Sequence, residues 1–187
     1  MDKDEYLHKV LPHRMMAIDT LKVVLQYLST ITTPQPLEIL LNGKTRVQGL
    51  STAWTNPAIE SGIMHCRACL EFLGLQLNSQ NPTRLRERKN SRHDDIVIED
   101  FELPRVPIEG AISCYSGNRD DAEAALSYVL FLANKGVAHN TTQIQSSNNS
   151  PDLLLIAAMG IPVLLEKHFY KPLGLPTPQY KITYSEQ

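Results

Sequence analysis

Two helical stretches of the sequence carry residue types suited to chemistry. In FLANKGVAHNTT, residues 131–142, an apolar helix face gives way to Asn134, Lys135, His139 and Asn140. On helical spacing His139 lies over Lys135, Leu132 and Tyr128, flanking the core stripe. A half-exposed imidazole there titrates near neutrality and can transfer protons, and Lys135 one turn earlier can hold a phosphate beside it. The competing role is a helix-end histidine that hydrogen-bonds terminal carbonyls and complements the helix dipole. In IMHCRACLEFLG, residues 63–74, Arg67 shares a face with Glu60, Met64 and Glu71. Arg67 and Glu71 are spaced for an i,i+4 ion pair, worth roughly 0.2–0.5 kcal/mol on an exposed helix. Arg67 also borders the apolar stripe, where a guanidinium turned into a helix seam needs a partner such as a phosphate.

Other constellations are weaker. Cys66-x-x-Cys69 beside His65 has metal-ligand spacing, but a second ligand pair is missing and no βαβ context supports a redox motif. Small buried core thiols explain the pair more simply. His65, His93, His139, His168 and the Asp94–Asp95 pair lack the Glu-x-x-His spacing of di-iron bundles. The expectation is therefore no metal, no cofactor and reduced cysteines. RLRERKNSR, residues 84–92, sets five cations against Glu87 alone, a net of +4. Such a loop can contact phosphates in a salt-dependent way, but no aromatics interleave with it for base stacking. The acidic run that follows, HDDIVIEDFE, can simply pair with it.

Four amphipathic segments must position these residues. The first is expected near 12–29, with Pro12 in its first turn and Leu11, Ile18, Leu21, Leu25 and Leu28 as a stripe that Arg14 interrupts. The second, opened by Asn56-Pro57, runs over 57–77 with Ile59, Ile63, Cys66, Leu70, Leu73 and Leu77 inward. The third spans 119–139 behind Asp120, Asp121 and Glu123, which suit its N-terminal dipole. The fourth follows the SPD cap over 150–170, kinked near Pro162. Between the first two, punctuation by Pro34, Pro36, Gly43, Gly49 and Pro57 leaves room for one short apolar element, LEILL. Residues 78–118 are the least regular, with IVI as a short extended piece. Periodicity thus predicts an all-α, antiparallel four-helix bundle with a long charged insertion between helices two and three, in a single domain over 1–187.

Composition sets the outer bounds. A chain of 187 residues with 42% hydrophobic and 20% charged residues has the make-up of an ordinary globule. Its net charge of −2 gives no global pull toward nucleic acid or anionic lipid. MDKDEYLHKV lacks the apolar core of a signal peptide, and the apolar run from Leu153 to Leu165 falls short of the roughly 20 residues of a membrane span. Both point to a cytoplasmic protein without a membrane partner.

RACLEFL (67–73), DDIVIEDF (94–101) and NKGVAHNT (134–141) together resemble the HEPN-like helical-bundle family over roughly the middle half of the chain. The resemblance implies a metal-independent endoribonuclease, of toxin-antitoxin or defence type, with His139 as acid–base residue at a dimer-assembled site. Arg67, Asn134 and Lys135 would then hold substrate. The slot five residues before His139 holds Asn134 where the ribonuclease motif has Arg, so one charge that would offset the transition state is absent. That departure favours the non-catalytic, RNA- or nucleotide-associated members. The second expectation, from another class, is a non-catalytic helical scaffold that forms a homodimer or binds a protein partner.

Overall fold

The computed structural model describes residues 2–137 and 150–179. Helical structure begins at α1, Lys3–Glu5, where the Asp2 carboxylate accepts a hydrogen bond from the Glu5 N–H at 2.7 Å. It continues through a wider, π-helical stretch, Tyr6–Val10, into α2, Leu11–Ser29. Leu11, Met15, Ile18, Leu21 and Leu25 recur every three to four residues and are buried, so the α2 stripe reaches the core as its spacing requires.

A ribbon follows: β1, Pro36–Leu41, and β2, Lys44–Leu50, pair antiparallel with Ile39 opposite Val47. α3, Thr52–Phe72, then packs against α2. The approach is close: a β-carbon at Gly62 would lie 2.5 Å from the Leu21 β-carbon. A second ribbon joins β3, Leu75–Leu77, to β4, Leu85–Glu87. A 3-10 turn at Ile98–Phe101 and α4, Ile108–Ile112, lead to α5, Arg119–Phe131, which passes into a π-helical stretch, Leu132–Val137. α6, Ser150–Leu165, contacts α2, α3 and α5 and ends in π-helical Glu166–Tyr170.

One cluster unites Leu21, Leu25, Ile63, Leu70, Leu126, Val129, Leu154 and Leu164, all of them buried. Against the expectation drawn from the run Leu153 to Leu165, the helical stretch Pro151–Tyr170 is by length and composition long and apolar enough to cross a membrane; Ala157, Ile161, Leu164, Leu165 and Phe169 turn one side of it into that core.

The expectation of an all-α four-helix bundle is corrected by the two ribbons and by the short helices α1 and α4. Asn42 and Gly43 both adopt positive φ, 53° and 72°, the two-residue turn whose twist matches flanking antiparallel strands. LEILL therefore pairs with KTRVQGL and is not an isolated element. The second helix also differs from its expected 57–77 span. It starts at Thr52, with Pro57 inside it, and stops at Phe72 because Gly74 takes φ 88°. Leu75–Leu77, assigned to that helix by its apolar spacing, is a strand. The IVI segment forms no strand: Ile98 opens the 3-10 turn.

Candidate functional site

Arg67 forms the i,i+4 pair that its spacing allows, with Nε 2.8 Å from Glu71 Oε1. Its charge is thereby matched inside its own helix. Asn134 is half-buried and Lys135 exposed, both within the π-helical Leu132–Val137. His139 lies outside the described residues. The clefts described here include neither Asn134 nor Lys135.

The basic run is not a free loop. Arg84 meets Glu123 of α5 at 2.5 Å, and the same carboxylate accepts the Leu85 N–H at 3.0 Å. Arg88 pairs with Asp95, and its N–H donates to the Gly74 carbonyl at 2.8 Å. Arg105 pairs with Glu99 and also donates to the Arg88 carbonyl. The charged segment therefore folds back on itself, while Arg86, Lys89 and Arg92 make no ion pair among the described residues.

This folding back builds a polar cleft of about 200 Å³. Tyr6 comes from the π-helical lead, Arg14 from α2, and Ala68, Glu71 and Phe72 from α3. Arg88, Asp94, Asp95 and Ile96 close the other side. Arg14 is the residue that interrupts the α2 stripe. Its guanidinium carbon lies 5.9 Å from the centre of the Tyr6 ring. Its Nε is buried with no hydrogen-bond partner, and the guanidinium makes no ion pair among the described residues. Burial pushes the Tyr6 phenol well above its ordinary range, so it stays protonated. Glu71 and Asp95 are engaged by Arg67 and Arg88, whereas Asp94 is exposed and unpaired among the described residues.

Beside the cleft, the His13 and His65 rings stand edge to face at 5.2 Å. Burial, then the Arg14 charge and His13, hold His65 below its usual pKa. A second grouping was not anticipated from sequence: Cys114 Sγ lies 3.7 Å from His168 Nε2. The thiol donates to the Gly110 carbonyl at 3.2 Å, and burial keeps His168 below its usual pKa. The adjoining apolar cavity is only about 20 Å³, room for about one water and no substrate. Cys66 and Cys69 are fully buried, which pushes the Cys69 thiol up to about 12 and removes both from thiolate chemistry. Among the described residues no three His, Cys, Asp or Glu side chains converge as metal ligands.

The cleft residues were hidden from sequence reasoning for different reasons. Arg14 was visible as a break in an apolar stripe; Asp94 and Arg88 were visible only as charge runs. Compared with known proteins, this chain matches no family model, no curated protein and no solved structure.

Proposed function

We propose that this protein is a non-catalytic association module that pairs with a second copy of itself through the β1–β2 ribbon. The observation that carries this reading is the ribbon's exposure. Every residue of β1 and β2 except Leu37 is exposed, including Ile39, Leu40, Leu41, Val47 and Leu50. The ribbon's base is tied down, by Ser51 N–H to the Gln35 carbonyl at 2.7 Å and Gln35 N–H to Ser51 Oγ at 3.1 Å. The rest stands on two strands alone. A two-stranded ribbon in water is marginal, whereas three or more strands with an apolar face are stable.

The edge sequence favours a second copy as the occupant. A two-fold axis through Ile39 sets Leu37, Ile39 and Leu41 against Leu41, Ile39 and Leu37 of the other copy. Glu38, the only charge on β1, then faces Leu40, so no like charges oppose. The β2 edge carries Lys44 and Arg46 and a register break between its partners Ile39 and Leu40, devices that discourage edge pairing. β1 carries only Pro36 at its start and the single charge Glu38. The product is a four-stranded sheet, β2–β1–β1–β2.

The nucleic-acid reading draws less support. Of the cations that the sequence offers for phosphate in the two helical motifs and the 84–92 run, Arg67, Arg84 and Arg88 are neutralised by carboxylates, which leaves Lys135, Arg86, Lys89 and Arg92. Sedimentation equilibrium over a range of concentrations tests the proposal. Expected is a species of twice the 21.0 kDa monomer mass, converted to monomer by Ile39→Lys with an unchanged helical circular dichroism spectrum. A wild type that stays monomeric at every concentration, or an Ile39→Lys variant that still dimerises, overturns it. A monomer that retains a single-stranded RNA oligonucleotide would favour the nucleic-acid reading instead.

A further inference from the structure

We infer that the cleft between Arg14 and Asp94 is a binding site for a small zwitterion, an α-amino acid with an aliphatic side chain. This site is independent of the ribbon and of self-association.

The charges in the cleft are not all satisfied. Five charged residues line it: Arg14 and Arg88 against Glu71, Asp94 and Asp95. Arg88 and Asp95 satisfy each other, and Glu71 is satisfied by Arg67 from outside the lining. One cation and one anion are left, and they do not pair with each other. Arg14 is the more telling of the two. A half-buried guanidinium normally finds carboxylate, phosphate or carbonyl partners, because its donors are costly to leave unmade. Here its Nε is buried without any acceptor, and the Tyr6 ring beneath fixes the guanidinium by a cation–π contact. Asp94 is exposed at the mouth, on the turn that Arg88 and Asp95 hold in place.

Ligand chemistry follows by elimination. A polyanion such as RNA meets one open guanidinium and one open carboxylate, so the cleft offers it no net attraction. A simple amine would satisfy Asp94 and leave Arg14 unsatisfied; a simple anion would do the reverse. A molecule carrying one carboxylate and one ammonium satisfies both. The volume of about 200 Å³ is below the roughly 300–1,000 Å³ of sites for larger ligands, which restricts the zwitterion to amino-acid size. Ala68, Phe72 and Ile96 supply the apolar wall against which an aliphatic side chain packs. Tyr6 adds a phenol that stays protonated and is available as a donor. Tyr6 belongs to a π-helical stretch, a local widening of the helix that often accompanies functional sites.

Calorimetric titration of the full-length protein tests this with four probes: L-leucine, N-acetyl-L-leucine, L-leucinamide and inorganic phosphate. L-Leucine should bind, and each blocked form, lacking one charge, should bind about tenfold or more weakly, the loss expected of one charge-assisted contact. Asp94→Asn should weaken L-leucine and abolish its advantage over N-acetyl-L-leucine. Arg14→Gln should abolish the advantage over L-leucinamide. Because Asp94 is exposed, its variant keeps the test decisive even if Arg14→Gln does not fold. No detectable binding of L-leucine to folded wild type overturns the inference. Phosphate binding more tightly than L-leucine, or equal binding of the blocked forms, does so as well.

Discussion

At the scale of single residues, charges in this protein are decided by what lies across from them. Arg67, placed on a seam by its spacing, spends its guanidinium on Glu71, whereas Arg14 has only an aromatic ring beneath it. The same neighbourhood sets a pH dependence. Burial first, and then Arg14 and His13, lower the pKa of His65 from 6.5, and burial likewise lowers that of His168. The unfolded chain therefore binds these protons more readily than the folded one. Stability should be fully present above about pH 6.5 and decline as pH falls below it, since acid favours the state that takes up more protons. Urea midpoints measured between about pH 7.5 and about pH 5 should fall for wild type and fall less for His65→Gln. Superimposable pH profiles for the two proteins would exclude His65 as a source of the decline. The local pairing of Arg67 was legible in the sequence because both partners sit on one helix. Arg14 was legible only as an interruption, because Tyr6, Asp94 and Ile96, which line the same cleft, come from other segments.

At the scale of elements, two glycines do work that helical periodicity does not register. Gly62 lets α3 press against Leu21 of α2, where an added methyl has no room. Gly62→Ala should cost about 1–3 kcal/mol in chemical denaturation, the range for overpacking a fitted core, although alanine is the better helix former. A neutral or stabilising result would mean that α2 and α3 separate easily and that their contact is not tight. Gly74 ends α3 with φ 88° and releases the chain into β3, so a stripe of leucines that continues through Leu77 in the sequence is cut at Phe72 in the fold. The first ribbon was written more openly. LEILL-NG-KTRVQGL places Asn-Gly between two strand-forming runs, a strong local signal for a hairpin. Treating Gly43 as punctuation alone missed it. β3–β4 had no such signal: its seven-residue connection depends on Asn78 and Asn81 side chains accepting backbone N–H bonds, and its pairing is driven by burial of Leu75 and Leu85.

At the scale of the molecule, an aromatic cluster ties both ends of the described chain to its centre. The Phe72 ring lies 5.1 Å from Tyr6, 6.0 Å from Phe101 and 5.1 Å from Phe169. The N-terminal lead, the charged segment and the end of the last helix thus meet on one side chain. Phe72→Ala should destabilise the protein by about 3–5 kcal/mol, the cost of removing a fully buried ring. Tyrosine fluorescence and far-ultraviolet circular dichroism should report that loss in one shared transition. Separate transitions would show that the charged segment unfolds apart from the helices. The segment's ordering also explains why its composition misleads: Arg84 and Arg88 are structural partners of Glu123 and Asp95, not a free cationic surface.

The sequence by itself placed four long helical segments, though not the bounds of the second, because apolar spacing along a helix is a local property and Leu21, Leu25, Ile63, Leu70, Leu126, Val129, Leu154 and Leu164 have no other way to leave water. It also contained the Asn42–Gly43 turn. Only the tertiary structure decided which strands pair, which charges are neutralised and which remain open. Pairing of β3 with β4, of Arg84 with Glu123, and the meeting of Tyr6, Arg14 and Asp94 in one cleft all depend on contacts between residues distant in the chain. Those contacts follow from how the helices close around their core, and no spacing along a single segment encodes them.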